Sequence, residues 1–412
     1  MMKETVITGL GVVAPSGLTV EDHWASMLEG RLCVSEIAGF DTSGYANVLA
    51  GQVTGFVPSE HIDERIVVQT DRWTWFSLAT AAQCLADASY DPAAHGPFET
   101  GVVMAAGSGG NEFGQRQLGE LWTHGGSAVS AYQSIAWFYA ASTGQTSIRH
   151  QTKGPSGVFV SEAAGGIASV AQGRRVVRRG TGAVIVGGTE AGITPYAITC
   201  QSTSGRLTAA RSPELGYKPF DQQANGYAPG EGGAAMIVES WASVAARSAP
   251  QIYGTVAGYG ATHDAYHYQD PSPDPRYYTM AMRNALRDAD LAPADIDLVY
   301  ADGAGSPELD QLEISALQAV FWERPVAVPV TAPQGLTGRL SAGGSALNVV
   351  NAVLSLRDGL VPAIGNLDHP RIAEGLDFVS ATRELPIRNV MVNARGYGGF
   401  NGSLIISMPT PR

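Results

Sequence analysis

One residue of this chain stands where a nucleophile would be expected. Residues 154–166 predict a strand, a tight elbow of small residues and a helix that continues through Ile167 and Val170. An elbow of this kind points one side chain towards the helix N-terminus, where free N–H groups and the helix dipole favour a thiolate or an oxyanion. The side chain at this point is the methyl group of Ala163. The sequence therefore predicts a scaffold for covalent acyl chemistry without the reacting atom.

Two further sets of residues could do chemistry, and each also has a simpler structural interpretation. Glu162 and Asp302 could serve as a carboxylate pair in acid–base catalysis, or they could form a buried polar contact or an interface salt bridge. His263 and His267 have the i, i+4 spacing that can hold a metal ion on a helix. Because glycines precede these histidines and prolines follow them, we expect a loop there and no metal site.

The elements that must position these residues repeat one construction: a short apolar run, a glycine-rich turn and an amphipathic stretch. The runs are continuously apolar, which indicates strands that helices cover on both faces. An α/β fold with many tight turns follows, in agreement with 50 glycines and 44% hydrophobic residues. The predicted strands are residues 6–11, 101–107, 158–160, 183–188, 298–303, 326–331, 390–394 and 403–406.

The chain shows weak internal duplication. The apolar run at 102–107 and its helix parallel the run at 299–303 and its helix, and the Ala163 elbow parallels a similar elbow later in the chain. At 412 residues the chain exceeds one average domain, yet no flexible linker divides it. We therefore predict an N-terminal half, residues 1–248, and a C-terminal half, residues 249–412, packed as one body.

Composition and charge exclude several classes of function. Lys and Arg number 26 against 38 Asp and Glu, and the net charge of −12 argues against nucleic acid as a partner, because phosphate binding needs a positive face. No apolar run is long enough to span a bilayer and the first residues do not resemble a signal peptide, so we expect a cytoplasmic protein with no membrane contact. Widely spaced Cys33, Cys84 and Cys200 indicate buried thiols. Arginines within 174–179 could steer an acidic partner or match a helix dipole.

Two motifs carry a resemblance to a known family. Residues 219–233, PFDQQANGYAPGEGG, are similar to the P-F-D…G-[FY]-x-x-G-E-G signature of β-ketoacyl synthases. Residues 396–401, GYGGFN, resemble the glycine-rich loop near the C-terminus of the same family. Neither motif is specific alone, but the pair at this separation is. The resemblance covers essentially the whole chain and implies an α/β thiolase-type fold, with two duplicated βαβ-rich halves in a layered αβαβα body.

The resemblance also implies four reacting groups, all of which are replaced in this chain. In an active member a cysteine takes the acyl chain, two histidines polarise the thioester carbonyl, and a lysine holds the charged network. The cysteine position is Ala163, the histidine positions are Asp302 and Arg339, and the lysine position is Gln334. A methyl group cannot attack a thioester, and a carboxylate would repel the developing oxyanion. No catalytic residue is therefore expected.

This set of replacements resembles the chain length factor of bacterial type II polyketide synthases, which is their ketosynthase β subunit. The resemblance implies a heterodimer with an active ketosynthase α subunit, on which decarboxylative Claisen condensation extends a poly-β-ketone in a cavity that both subunits shape. Acyl units would arrive as phosphopantetheine thioesters on an acyl carrier protein. The chain itself would bind no cofactor and have no activity alone. Many relatives carry glutamine at the elbow, where this chain has Ala163.

One helical face is expected to set the product length. Asn111, Gly114 and Leu118 are three and four residues apart, so they share a face. By resemblance this face looks across the dimer contact into the polyketide tunnel, where bulky aromatic residues stop the chain early. A glycine within a helix costs about 1 kcal/mol relative to alanine, which indicates a steric reason for Gly114. We expect a product longer than an octaketide; the alternative is a helix-start glycine beside an ordinary core leucine.

The sequence leaves two other functions open. The chain could be an independent malonyl-thioester decarboxylase that uses Glu162 and Asp302, which turnover by the isolated chain would reveal. It could also be a homodimer that only binds an acyl carrier, which a stable self-dimer without a ketosynthase partner would favour. In thiolase-type folds a strand like that at 157–161 pairs across a two-fold axis through a large apolar contact.

Overall fold

The computed structural model describes residues 4–409, within which the chain forms strands and helices in alternation. The strands are β1 (Thr5–Val13), β2 (Val34–Glu36), β3 (Leu49–Gly51), β4 (Thr100–Ala105), β5 (Ser156–Phe159), β6 (Ala183–Ala191), β7 (Glu231–Ser240), β8 (Gly254–His263), β9 (Leu298–Tyr300), β10 (Val328–Thr331), β11 (Leu360–Val361), β12 (Leu376–Phe378), β13 (Arg383–Glu384), β14 (Asn389–Gly396) and β15 (Phe400–Ser407). The α-helices are α1 (Val20–Glu29), α2 (Glu64–Val67), α3 (Arg72–Asp87), α4 (Asn111–His124), α5 (Gln133–Ala136), α6 (Ala141–His150), α7 (Gly165–Arg178), α8 (Pro195–Ser202), α9 (Trp241–Arg247), α10 (Arg276–Ala289), α11 (Pro307–Phe321), α12 (Gln334–Thr337) and α13 (Ala342–Asp358).

Eleven strands of the described chain form one sheet, in the order β12-β10-β9-β14-β15-β8-β1-β7-β6-β4-β5. The two sides of this sheet meet where β1 pairs with β8. Outward from that junction, one side runs β1, β7, β6, β4, β5 and the other runs β8, β15, β14, β9, β10, with β12 added outside. Both sides therefore place their strands in the same order along the chain: first, fifth, fourth, second and third. This repetition is the structural form of the internal duplication.

Helices cover the outer faces of the two parts of the sheet. Other helices fill the space between those two parts. α7 and α13 contact each other, and each packs against strands from both sides. α3 packs on β1 and β7, whereas α10 packs on β8 and β15. The layers are therefore helix, sheet, helix, sheet, helix, as the predicted αβαβα body requires. The seam between the halves lies between α9 and β8.

Two glycines allow the middle helices to pack closely at their N-termini. A Cβ on Gly166 of α7 would lie 2.4 Å from the carbonyl oxygen of Ala342, at the start of α13. A Cβ on Gly343 of α13 would lie 2.3 Å from the carbonyl oxygen of Gly232 in β7. Both distances are far inside van der Waals contact, so larger residues would push these elements apart. The close approach places the elbow before α7 beside the start of α13.

Every predicted strand is present, although most ends are shifted. The strand predicted at 158–160 is β5 (Ser156–Phe159) and that predicted at 326–331 is β10 (Val328–Thr331). β7 was not predicted, because it begins inside the glycine-rich signature and its first five residues are glutamate, two glycines and two alanines. Within residues 4–409, no helix is long and apolar enough to cross a membrane.

Two predictions about side-chain burial are wrong in part. Cys84 is buried, but Cys33 is partly exposed and Cys200 is exposed, because α8 lies at the surface and turns this side chain outwards. Of the arginines within 174–179, Arg174 is buried and its guanidinium forms an ion pair with Asp288. Arg174 is thus part of the internal packing and not of a surface that could steer a partner.

Candidate functional site

The elbow before α7 has the geometry of a nucleophile turn. β5 ends at Phe159, and Glu162 has a φ of +49°, in the left-handed region that non-glycine residues rarely adopt. A 3₁₀ turn, Glu162–Ala164, then leads directly into α7. Ala163 is buried in this turn, and its carbonyl oxygen accepts a hydrogen bond from the Ser345 hydroxyl of α13. The backbone thus holds residue 163 at the helix N-terminus, where only a methyl group is present.

The four positions predicted to correspond to reacting groups line one small cavity. Ala163, Asp302, Gln334 and Arg339 all contribute to its wall. The cavity has about 20 Å³ of space in which the centre of a water molecule fits, which is room for about one water. Asp302 follows the end of β9, Gln334 begins α12, and Arg339 lies just beyond α12. The duplicated fold therefore brings these residues together from both halves of the chain.

An ion pair occupies this cavity. The Nη1 and Nη2 atoms of Arg339 lie 3.2 and 3.1 Å from the two carboxylate oxygens of Asp302, in a bidentate arrangement. Nη2 also donates to the carbonyl oxygen of Arg395 at 3.0 Å, and it lies 3.9 Å from Oε2 of Glu162. The guanidinium lies 5.7 Å from the centre of the Tyr227 ring. The positive charge of Arg339 is thus satisfied on all sides from within the chain.

The charged groups shift one another's pKa values in consistent directions. Burial would lower the pKa of Arg339, but the carboxylates of Asp302 and Glu162 hold it well above its usual range. Burial raises the pKa of Glu162, and the nearby Arg339 opposes that change. Burial also raises the pKa of Glu313 to about 7, with a further contribution from Asp302. Arg339 therefore remains charged at any physiological pH and compensates the two carboxylates beside it.

Hydrogen bonds fix Asp302 from behind. Its backbone N–H donates to Oε1 of Glu313 at 2.9 Å, and the N–H of Gly303 donates to Oε2 at 2.8 Å. The Tyr278 hydroxyl donates to the same Glu313 at 2.9 Å, and the N–H of Arg395 donates to Oδ1 of Asp302 at 3.1 Å. These bonds leave Asp302 no freedom to turn towards a substrate.

Gln334 connects α12 to the end of β9 through hydrogen bonds. Its Nε2 donates to the carbonyl oxygens of Ala301 and Asp302, at 2.9 and 2.5 Å. Its Oε1 is buried and has no hydrogen-bond partner among residues 4–409. A neutral amide cannot supply the charge of a lysine, so this position holds the end of β9 against α12 without contributing to an electrostatic network.

The four positions lack the groups that acyl transfer needs. Among them there is no nucleophile and no imidazole, and the carboxylate of Asp302 would oppose an oxyanion. A pocket beside Arg339 is also small, with about 30 Å³ of space in which the centre of a water molecule fits. The Tyr397 and Tyr227 hydroxyls lie 2.8 Å apart, and the Arg206 guanidinium lies 5.2 Å from the Tyr397 ring centre. Aromatic and cationic side chains thus line this pocket.

A second, larger cavity lies beside the first and contains a residue that the sequence did not reveal. This cavity has about 170 Å³ of space in which the centre of a water molecule fits. Both Glu162 and Arg339 contribute to its wall. Asn111 and Glu190 lie in the same wall. Burial raises the pKa of Glu190 to about 8. The one available signal was an acidic residue within the apolar and glycine-rich run of β6.

The residues expected to set product length lie on α4 in different environments. Asn111 is partly buried, Gly114 is buried, and Leu118 is 46% exposed. A Cβ on Gly114 would lie 3.5 Å from Cδ1 of Trp137, an ordinary contact, so packing within this chain gives no steric reason for glycine. A steric reason at the dimer contact therefore stays a prediction. Leu118 does not lie in the core of the chain.

Asp71 anchors the start of α4. It is the N-cap residue of α3, where Oδ1 accepts a hydrogen bond from the N–H of Trp73 at 3.4 Å. Oδ2 accepts a shorter bond, 2.7 Å, from the N–H of Phe113 in the first turn of α4. Burial is the main cause that raises the pKa of Asp71 to about 7. One carboxylate thus caps two helices and sets the position from which Asn111 and Gly114 extend.

Exposed apolar side chains lie on the connection between β4 and β5 and next to β5 in the chain. β5 pairs with β4 on one side and is the last strand of the sheet on the other. The connection contains α4, α5 and α6, of which α6 contacts β5 and α5 contacts α4. The exposed apolar residues on and beside them are Leu118, Trp122, Trp137, Phe138, Ile148 and Val160. An unpaired edge with apolar neighbours is typical of an interface.

The loop predicted around the two histidines is present at His267 but not at His263. The glycines before His263, which were interpreted as the start of the loop, lie within β8 and allow α10 to pack closely against it. His263 ends β8, and His267 lies beyond it in a segment without regular structure. Their spacing therefore does not place them on one helix face. Within residues 4–409, no group of three or more His, Cys, Asp or Glu side chains could hold a metal ion.

Comparison with known proteins gives the family of the chain. The model of the β-ketoacyl synthase N-terminal domain matches residues 2–242, and that of the C-terminal domain matches residues 253–368. The tetracenomycin polyketide synthase ketoacyl synthase beta subunit of Streptomyces glaucescens is 45% identical over 97% of both chains. The actinorhodin polyketide putative beta-ketoacyl synthase 2 of Streptomyces coelicolor is 42% identical over 98% of this chain and 99% of the relative.

Solved structures show the same fold. The ishigamide ketosynthase/chain length factor has a TM-score of 0.91 at 24% identity and covers all of both chains. A ketosynthase described as part of a type II polyketide synthase complex with its acyl carrier protein, AntDE:AntF, has a TM-score of 0.89 at 21% identity over all of both chains. These likenesses confirm the thiolase-type architecture. The chain belongs to the β-ketoacyl synthase family, among the ketosynthase β subunits of type II polyketide synthases.

Proposed function

We propose that this chain is the non-catalytic, chain-length-determining subunit of a type II polyketide ketosynthase heterodimer. The observation that carries the proposal is the shared cavity in which Ala163, Asp302, Gln334 and Arg339 stand at the positions of the reacting groups. The backbone of an acyl-condensing enzyme is retained, while a methyl group and a closed ion pair replace its nucleophile and its acid–base groups. Such a chain contributes to the reaction by its shape and not by its own chemistry.

The partner in this proposal is an active ketosynthase α subunit. It would perform the decarboxylative Claisen condensations on malonyl units that an acyl carrier protein delivers as phosphopantetheine thioesters. The free edge of β5 and its apolar neighbours support a large dimer contact at this point. The beta-subunit name of the Streptomyces glaucescens relative supports a two-subunit arrangement. A cytoplasmic location remains part of the proposal.

The product length is the finer part of the proposal. Asn111, Gly114 and Leu118 lie on α4, in the connection between β4 and the edge strand β5, and none of them is a bulky aromatic residue. If this face borders the growing chain, it leaves space for a product longer than an octaketide. The short side chains would then determine the length by the volume that they leave open.

An independent decarboxylase receives less support. Both oxygens of Asp302 already face Arg339, and Glu162 lies on the other side of the same guanidinium. Asp302 is therefore not available to exchange a proton with a malonyl group, because general acid–base catalysis requires direct access to the reacting atom. The charge of Glu162 is compensated by Arg339, although its side chain lines a cavity.

Co-expression with and without an active ketosynthase subunit tests the proposal. We expect a heterodimer by size-exclusion chromatography and native mass spectrometry, and aggregation of the chain when it is expressed alone. The heterodimer, but not the chain alone, should consume malonyl carrier protein and release long products. Turnover by the isolated chain, or a stable homodimer that ignores the ketosynthase, would contradict the proposal.

A further inference from the structure

Glu190 is a buried acid without a charged partner. It lies near the C-terminal end of β6, is 3% exposed, and forms no ion pair within residues 4–409. Its carboxyl group accepts hydrogen bonds from the backbone N–H of Gly107 and from the Ser108 hydroxyl, the latter at 3.1 Å. Burial of a carboxylate with no cation is costly, so a group in this environment is held as the neutral acid near pH 7. None of the chemistry described above uses this residue.

A chain of hydrogen bonds connects Glu190 to the helix face that is expected to set product length. The Nδ2 of Asn111 donates to Oγ of Ser108 at 2.7 Å, and Ser108 in turn contacts Oε2 of Glu190. Gly107 permits this approach, since a Cβ there would lie 2.8 Å from Oε1 of Glu190. Asn111, Ser108 and Glu190 all line the cavity of about 170 Å³. The three side chains therefore form one polar wall, which begins at the first residue of α4.

When Glu190 is neutral, the wall contains two neighbouring hydroxyl donors. A neutral Glu190 has one O–H donor, and Ser108 has another. Only one of these two protons can lie between Ser108 and Glu190, and the Ser108 oxygen already accepts from Asn111. The other hydroxyl proton is not used in this contact, so the cavity presents a hydrogen-bond donor that a ligand or a water molecule can use.

The surroundings limit what that acceptor can be. Glu162 and Arg339 both stand in this wall, and their opposite charges offset each other, so the wall favours neither an anionic nor a cationic ligand. The remaining lining includes small residues, Ala197 and Gly192, and uncharged polar side chains such as Gln201. A neutral chain that carries carbonyl oxygens matches this combination. We propose that Glu190 and Ser108 bind a carbonyl oxygen of the growing acyl chain in this cavity, so that Glu190 is a specificity residue for a poly-β-ketone. This inference rests on the proposed function.

Variants of Glu190 in the reconstituted heterodimer test the inference. The measurements are the mass distribution of the products and the rate of malonyl consumption, with acyl carrier protein and malonyl thioester supplied. Glu190→Leu removes the donor, and we expect about a fivefold rise in the ratio of shorter to full-length chains, the size of one lost hydrogen bond. Glu190→Gln keeps an N–H donor and an acceptor for Gly107, so its distribution should stay within about twofold of the unmodified complex. Glu29→Leu, an exposed position outside the cavity, is the matched control.

Ser108→Ala keeps the test decisive if Glu190→Leu does not fold. This small change removes the hydrogen bond that positions the Glu190 carboxyl group, and we expect the same direction of shift. Unchanged product length in both variants, at normal malonyl consumption, would overturn the inference and leave the proposed function intact. A loss of malonyl consumption without a change in length would also overturn it. Failure of the unmodified chain to form an active heterodimer would instead reject the proposed function.

Discussion

The guanidinium of Arg339 faces the carboxylate of Asp302 through two nearly parallel contacts, at 3.1 and 3.2 Å, in the cavity beside Ala163. In an acyl-condensing enzyme this space must admit a thioester, but here it is filled by a charge pair that the chain provides itself. The pair thus has a structural role, since each charge compensates the desolvation of the other.

Removal of one member of this pair should destabilise the subunit. Arg339→Met leaves the carboxylates of Asp302 and Glu162 without their cation, and we expect a loss of about 3–5 kcal/mol in the free energy of unfolding. Denaturant unfolding of the purified complex measures it. The double variant Asp302→Leu with Arg339→Met removes this pair and should recover the part of the loss that is due to Asp302, while Glu162 remains without its cation. A single variant as stable as the unmodified chain would show that the pair contributes nothing.

Restoring a thiol at the elbow should not restore condensation. In Ala163→Cys the thiol would stand at the N-terminus of α7, where the helix favours a thiolate, but Asp302 and Arg339 supply no imidazole. We expect no covalent acyl adduct by intact-mass measurement after incubation with an acyl carrier thioester, and no increase in malonyl turnover. Ala163→Ser provides the matched control. An acyl adduct on the introduced thiol would contradict this prediction. It would show that a thioester on the acyl carrier protein can reach and acylate residue 163.

The double cap at Asp71 should make stability depend on pH. Its pKa of about 7 in the folded chain lies above the value of 3.8 for an exposed aspartate. The folded state therefore binds more protons than the unfolded state between these values, and stability falls as pH rises through this range. Asp71→Asn removes this contribution, so its stability should decline less steeply between pH 5 and pH 7 than that of the unmodified chain. Thermal unfolding at several pH values measures the difference.

The same variant also tests the position of α4. An asparagine has one acceptor oxygen and can cap only one of the two helices, so one cap, worth about 1 kcal/mol, is lost. Asp63→Asn, at the exposed cap of α2, is the control. If Asp71→Asn and the unmodified chain show parallel pH curves, the buried carboxyl does not titrate as described.

Larger residues on the face of α4 should shorten the product. Gly114→Thr with Leu118→Phe adds volume where the growing chain is proposed to lie, and the 3.5 Å clearance to Trp137 allows a Cβ at residue 114. We expect a shift of the product masses by at least one two-carbon unit, measured on the reconstituted heterodimer. Glu120→Gln, on a different face of the same helix, should leave the products unchanged. Products of unaltered length would remove this face from the tunnel.

The sequence was sufficient to predict the chemistry of the elbow but not the contacts that replaced catalysis. The strand, turn and helix around Ala163 follow from local residue types, and the two glycine motifs specify the fold. The bidentate contact between Arg339 and Asp302 could not be predicted, because the two residues are 37 positions apart and only the packing of β9 against α12 brings them together. Of the interpretations left open for Glu162 and Asp302, the salt bridge agrees best with the structure. Arg339 is the cation that both carboxylates share.

Burial was the property that local patterns predicted least well. Glu190 looks ordinary in the sequence, yet its place near the end of β6 makes it a buried acid in a cavity wall. Cys200 was expected inside and lies outside, while Arg174 was considered for the surface and lies inside. Each of these outcomes depends on which neighbouring element covers the residue, and that is a property of the tertiary fold.

The middle layer of helices, α7 and α13, determines how the subunit unfolds. α13 belongs to the later half of the chain, but it packs against β6 and β7 of the earlier half. In the same way, α7 belongs to the earlier half and packs against β8 and β15 of the later half. The core cluster between the two parts of the sheet draws its residues from both halves of the chain. Severing the polypeptide between α9 and β8 would therefore not release two autonomous fragments, and heating should melt the entire subunit in one cooperative event.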